Sequence, residues 1–401
     1  MLRLPFLCLV ATLVAACSTP YNPPDVIGVK EFPGAMALAN NEGRVRVVMS
    51  HGMCSGVHKH FGKNNWVAQR AGLIARTIGD EGFEPTSYEP TREYPDQAGT
   101  PSAVQRVDME MSGDEGTIYD ISFLLWGDPF DAAREGIADV QIEDSSGQPP
   151  RRATFNGKLK DILMNECFVD AVAYTGERGD VVRRNMRVAM CDLMGGRVIG
   201  PNLGRPTEIV KCSGISGRSQ TPVMLVPESL GAKVLMDAFL ALDDGRGGAR
   251  KATAIGPIKA IHLATHQLPL LNTALVPANK TATARDAKEY QLANRAIARS
   301  ADAAPDTPLN DFLQVLGGTG LARLSADPIS LVVYYDPNDI FGYPLDPSSL
   351  SPRLNVDLTN VIVSNATTYA GLAANPLKAH RNTARPEISE IIIKGSEALK
   401  N

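Results

Sequence analysis

Short apolar runs with strand-like composition alternate along this chain with amphipathic stretches of helical spacing, and that alternation narrows the folds open to it. The strand-like runs include "RVRVVMS" (44–50), "PVMLV" (222–226), "AIHLAT" (260–265), "ISLVVYY" (329–335) and "NVIVSN" (360–365). "VQRVDMEMSG" and "GTIYDISFLLWG" read as a hairpin turned at "SGDEG", and the second strand is apolar enough to be central. Between these runs, "WVAQRAGLIARTIG" (66–79) places Val67, Leu73, Ile74 and Ile78 near one helical face. "LGAKVLMDAFLALDD" (230–244) and the closing "PEISEIIIKG" also have helical patterns, and 129–200 reads mainly as helix and loop. Residues 244–256 and 273–310 are linker-like, and there are no internal repeats. Such alternation predicts an α/β fold: a mostly parallel central sheet with helices on both faces. With 401 residues, 44% of them hydrophobic, the chain can bury the core of one large domain.

In open α/β sheets the chemistry sits beyond the carboxyl ends of the strands. The polar residues directly after apolar runs are His51-Gly52, Ser229, Asp336 or Asp339, and His380. Ser229 lies in Pro227-Glu228-Ser229-Leu230-Gly231, between an apolar strand and an apolar helix. A sharp turn there would lift the hydroxyl clear of the sheet, and the small Gly231 would let strand and helix approach closely. A serine hydroxyl needs a base within hydrogen-bond reach, and a histidine base needs a carboxylate to fix its tautomer. The alternative is a serine that merely caps a helix, a common use of the residue. Glu228 either shapes the turn or pairs with a nearby cation. "GGTG" (317–320) lacks the Lys-Ser/Thr of a phosphate-binding loop and reads as a turn.

The order Ser229, Asp339, His380, with a strand-end His-Gly in "VVMSHGMC", resembles the α/β-hydrolase superfamily from about residue 43 to 401. Pro227 departs from the glycine usual at that position of the elbow. The resemblance implies an α/β-hydrolase fold over 43–401, with 129–221 as a large helical insertion that could form a lid. It implies Ser229 as nucleophile, His380 as general base and Asp339 as the orienting acid, with Asp336 as the rival acid. Backbone N–H groups of Met53 and Leu230 would form the oxyanion hole, and His51 would orient that loop. The implied activity is esterase- or lipase-like hydrolysis of a carboxylic ester, in a small molecule or a lipid, through an acyl-enzyme and without a metal or other cofactor. A catalytically silent hydrolase-fold lipoprotein that binds envelope partners is the competing expectation.

The N-terminus carries its own signal. "MLRLPFLCLVATLVAAC" has a charged start and an apolar run too short to span a bilayer comfortably. Its end, Val14-Ala15-Ala16-Cys17, resembles a bacterial lipobox, which implies removal of the signal peptide 1–16 and lipidation of Cys17. "STPYNPPD" then reads as an exposed tether opening an N-terminal segment, 17–42. Ser18 after the cysteine implies the outer membrane, with the protein facing the periplasm. Cys54, Cys167, Cys191 and Cys212 remain; in an oxidising envelope at least one disulfide is expected, with the pairing open. No cysteine pair has metal-ligand spacing. A net charge of −4 gives no reason to expect nucleic acid as a partner, and the sequence leaves the oligomeric state open.

Overall fold

The structure is a computed structural model. It describes residues 17–40, 43–53, 65–80, 82–84, 88–95, 102–113, 116–127, 130–138, 160–199, 211–213, 221–240, 258–272, 308–317, 327–369, 374–380 and 384–400. Residues 1–16, expected to be a signal peptide, Cys54, the "GGTG" stretch beyond Gly317 and most of the linker-like stretches lie outside these residues.

Nine strands form one sheet: β1 (Asp25–Gly28), β2 (Arg44–Ser50), β3 (Arg92–Pro95), β4 (Ser102–Ser112), β5 (Ile118–Trp126), β6 (Val223–Pro227), β7 (Ile258–Ala264), β8 (Ile329–Tyr335) and β9 (Val356–Ile362). Their order is β1-β9-β8-β7-β6-β2-β5-β4-β3. The strands from β9 through β5 are mutually parallel; β1 pairs antiparallel with β9 on one edge, and on the other β4 pairs antiparallel with both β5 and β3. The molecule is therefore a mixed, largely parallel sheet with helices around it.

The sequence explains both faces. Every residue of β6 is buried, as expected of a parallel strand covered on both sides. Alternate residues then serve opposite layers. Val48, Leu124, Leu225, Ile261, Leu331 and Val333 pack under helices α3 (Glu177–Leu193), α4 (Gly231–Leu240) and α5 (Pro308–Gly317). Val47, Met49, Ile121, Met224, Val226 and Val332 pack under α1 (Ala35–Asn40), α2 (Trp66–Ile78) and α6 (Pro386–Lys394). Asn65 caps α2 by accepting from the Ala68 N–H at 2.8 Å, and Gly79 ends it in the left-handed region (φ 79°).

The hairpin of β4 and β5 and the strands 44–50 and 329–335 fall where the sequence places them. Other boundaries differ. The last parallel strand is Val356–Ile362, so "VSN" is already loop. The described part of α4 ends at Leu240. The N-terminal segment is more than a tether: residues 18–20 are exposed, but β1 pairs antiparallel with β9 and Phe32 is buried under α6. Cys17–Ser18 pairs with Thr368–Tyr369.

Within the range 129–221, expected to be an insertion, the described helix α3 contributes to the core. Val182, Met186, Ala189 and Met190 of α3 are buried, and α3 lies against α4 and β4. A lid must be free to move, whereas α3 forms part of the layer covering the sheet. Cys191, at its C-terminal end, is disulfide-bonded to Cys212 on a small ribbon (Arg197–Ile199 with Lys211–Ser213). Cys167 is also disulfide-bonded.

Candidate active site

Ser229 lies two residues past the end of β6, and its backbone is in the left-handed region, at φ 52°. A non-glycine residue there is strained and must be held in place by its surroundings. Three backbone hydrogen bonds provide that restraint: Glu228 N–H to Ser50 carbonyl (2.8 Å), Ser229 N–H to Ala264 carbonyl (2.8 Å) and Gly231 N–H to Glu228 carbonyl (2.8 Å). The turn thus hangs between its two neighbouring strands, β2 and β7. Gly231 is required by space, since a Cβ there would lie 2.5 Å from the His51 carbonyl oxygen. Gly52 is required on the facing side, where a Cβ would lie 2.6 Å from the Ser229 Cβ. Pro227 is the last residue of β6 and pairs in register with Ser50 of β2.

The structure brings Ser229, His380 and Asp339 together. His380 Nε2 lies 2.9 Å from Ser229 Oγ. Its Nδ1 lies 2.9 and 2.8 Å from the two carboxylate oxygens of Asp339. Nδ1 faces a carboxylate and so carries the hydrogen; Nε2 is left to accept from the serine hydroxyl. Asp339 comes from the loop after β8, and its carboxylate is fully buried. Asp339 Oδ1 also accepts from the Phe341 N–H at 2.9 Å, and the absent side chain of Gly342 makes room for Oδ2. His380 caps the short helix Pro376–Ala379, and Phe341 packs edge-on against its ring at 5.4 Å.

Asp336 stands apart from this line. Its Oδ1 accepts from the Asn338 N–H (2.8 Å) and side-chain amide (3.0 Å), and its Oδ2 from the N–H groups of Asn365 (2.6 Å) and Ala366 (3.3 Å). It ties the loop after β8 to the loop after β9 and leaves His380 to Asp339.

The hydroxyl is more enclosed than a simple exposed elbow, for Ser229 is only 4% exposed. Gly52-Met53, Gln267 and His380 close around it. It does not cap its own helix, because its oxygen meets His380 and Gln267 instead. Gln267, in the loop after β7, donates from Nε2 to Ser229 Oγ at 2.9 Å and faces Met53 Sδ at 3.6 Å. Sequence reasoning missed it, because one glutamine three residues past a strand matches no motif. The N–H groups of Met53 and Leu230 have no acceptor among the described residues, although both residues are buried. Free buried N–H groups are rare outside sites that use them.

His51 supports the loop from behind. Its Nδ1 donates to the Gly52 carbonyl at 2.5 Å and its Nε2 accepts from the Trp126 N–H at 2.9 Å, with the ring stacked on Trp126. Burial lowers its pKa to about 4, so it is neutral at pH 7. Glu228 is held by the Arg70 guanidinium (2.9 Å) and the Trp66 indole N–H (3.0 Å) on α2. Among the described residues no group of His, Cys, Asp and Glu side chains is arranged to hold a metal ion, and no helix is long and apolar enough to cross a membrane.

No protein-family model matches the chain, and no curated protein matches it. Among solved structures, acetyl xylan esterase 1 from a Thermoanaerobacterium species aligns over 76% of this chain and 90% of its own, at 7% identity and a TM-score of 0.22. So low a score carries no argument about fold or activity.

Proposed function

We propose that this chain is a serine hydrolase of the α/β-hydrolase type that cleaves a carboxylic ester through an acyl-enzyme. The observation that carries the reading is the unbroken line Ser229 Oγ, His380 Nε2, His380 Nδ1, Asp339 carboxylate, with each step at 2.8–2.9 Å. The strained serine after a central parallel strand, the acid after β8 and the histidine beyond β9 are the placements that the resemblance implies.

In this reading Ser229 Oγ attacks the ester carbonyl carbon. The hydroxyl proton moves to His380 Nε2, and the carbonyl π pair moves onto its oxygen, facing the Met53 and Leu230 N–H groups. The tetrahedral species collapses, the bond to the leaving alkoxide breaks, and His380 returns the proton to that oxygen. Water, activated by the same nitrogen, then hydrolyses the acyl-serine. Asp339 holds the hydrogen on Nδ1 and stabilises the imidazolium between steps. No redox change or cofactor enters the balance.

The test is p-nitrophenyl acetate turnover by the wild type and Ser229→Ala. Turnover that depends on Ser229 supports the reading. Equal rates in the two proteins refute it and favour a silent binding protein. The lipobox-like "VAAC" supports a second part of the proposal, a lipid anchor on Cys17 at the bacterial outer membrane. Cys17→Ala should then abolish metabolic palmitate labelling and release the protein from membranes; unchanged labelling would refute the anchor.

A further inference from the structure

We infer that the side-chain amide of Gln267 is a catalytic hydrogen-bond donor to the oxyanion formed at Ser229. The inference rests on the hydrolase reading above. Ser229 Oγ has a single hydrogen, and His380 Nε2 takes it. Any other polar group against that oxygen must therefore donate to it. Gln267 does so at 2.9 Å, and its other near neighbour, Met53 Sδ, is again an acceptor, so the amide nitrogen is the end facing the site.

The position of the amide is informative. It lies between the serine oxygen and the side chain of Met53, whose own N–H is one of two buried donors without an acceptor among the described residues. Gln267 thus reaches the serine oxygen beside the Met53 side chain, while His380 reaches it with Asp339 behind its ring. It is 1% exposed, so water does not compete for the amide.

The backbone is bent to place it there. Only two non-glycine residues among the described ones have positive φ: Ser229 at 52° and Thr265 at 49°. They end adjacent parallel strands, β6 and β7, and a hydrogen bond from Ser229 N–H to Ala264 carbonyl joins the two turns. Thr265 is held by its N–H to the Tyr334 carbonyl at 2.9 Å and its hydroxyl to the Ala264 carbonyl at 2.7 Å. Strain of this kind persists only where the surroundings enforce it, and it clusters at functional sites. Here one strained turn presents the nucleophile and the other presents an N–H to that nucleophile.

The chemistry follows. In the resting state the amide donates to a neutral hydroxyl and occupies a lone pair of the attacking oxygen. Attack uses a lone pair of Oγ to form the bond to carbon, while the carbonyl π pair becomes a charge on an oxygen attached to that same carbon. A small rotation of the Gln267 amide moves its N–H from Oγ to this new anion. The bond is weak in the ground state and charge-assisted in the transition state, so it lowers the barrier rather than merely tightening substrate binding.

The test compares wild type, Gln267→Met and Gln267→Ala for p-nitrophenyl acetate turnover and for inhibition by methylboronic acid, whose serine adduct carries a tetrahedral anion. Methionine keeps the length and burial without the donor; either variant suffices, provided its circular dichroism matches wild type. The expected result is a kcat lower by about 10²-fold with KM little changed, and weaker boronate inhibition by a similar factor. Gln267→Glu should fall further, since its carboxylate opposes the anion. An unchanged or faster kcat in folded Gln267→Met would overturn the inference while leaving the hydrolase reading intact, because the amide would then only hold the resting hydroxyl. Absence of Ser229-dependent turnover in the wild type would overturn both.

Discussion

Two buried aspartates three residues apart, Asp336 and Asp339, should fail in opposite ways when each is replaced by asparagine. Asp336 is fully buried and accepts two donors on each oxygen. An asparagine keeps one oxygen, so whichever way its amide turns, two donors face an NH2 group. Each buried donor left without an acceptor costs about 1–3 kcal/mol, so Asp336→Asn should lose roughly 2–6 kcal/mol of stability. In a chain of 401 residues that is a fall of roughly 2–7 °C in Tm. Asp339→Asn differs. Its Oδ1 can still accept from the Phe341 N–H, so the fold keeps its bond and Tm should move little. Its NH2 would then face His380 Nδ1, which must become an acceptor. The ring hydrogen moves to Nε2, where it points at Ser229 and cannot take the hydroxyl proton. Losses of about 10⁴-fold in kcat accompany such a tautomer swap. The assay pairs p-nitrophenyl acetate turnover at a temperature where both variants are folded with a thermal melt of each. If Asp336→Asn loses turnover with an unchanged melt, or Asp339→Asn melts early and keeps its turnover, the division of roles is wrong.

Other outcomes follow from the same contacts. Gly342→Ala would place a Cβ 2.3 Å from Asp339 Oδ2, so the carboxylate must shift; kcat should drop by about 10²-fold, and an unchanged rate would show that the loop yields freely. Burial lowers the pKa of His51 to about 4 and those of His262 and His266 to about 3, all below the ordinary 6.5. The unfolded chain therefore takes up protons that the folded chain refuses, and the stability present above pH 6.5 is lost as pH falls towards 4. Each of the three histidines contributes up to about 1.4 kcal/mol per pH unit in that window. Urea midpoints at pH 7 and pH 5 measure the loss, and equal midpoints contradict it. The Cys191–Cys212 bridge spans a sequence separation of 21, so Cys191→Ala with Cys212→Ala should cost about 3 kcal/mol in urea unfolding.

The parts of this molecule that were legible in the sequence are those where a strong local pattern coincides with the tertiary need. "ISLVVYY" is apolar but for Ser330 because β8 is covered on both faces, and Ser229 announces itself because a glycine must follow two residues later to let helix and strand meet. Legibility failed where function depends on a lone side chain delivered by backbone conformation. Thr265 carries no mark of its positive φ, and without that turn Gln267 is an unremarked polar residue. The helix "ERGDVVRRNMRVAMCDL" is so rich in charge that its buried face is hard to see, and so α3 reads as insertion rather than core. The strand "DVIG" is too short to signal itself; its partner β9, far along the chain, defines it. The choice between Asp336 and Asp339 was likewise open, since "DPND" offers two acids and only the fold decides which one meets His380.

The most direct measurement is intact-mass analysis after reaction with a fluorophosphonate, followed by peptide mapping. A phosphonate adds only to a serine that is activated by its base, and a denatured control removes that activation. One adduct per folded chain, on Ser229, with none on Ser229→Ala and none on the denatured protein, is the expected result. No adduct on the folded protein, or an adduct that survives in Ser229→Ala, would contradict the assignment of Ser229, His380 and Asp339 as a working catalytic line.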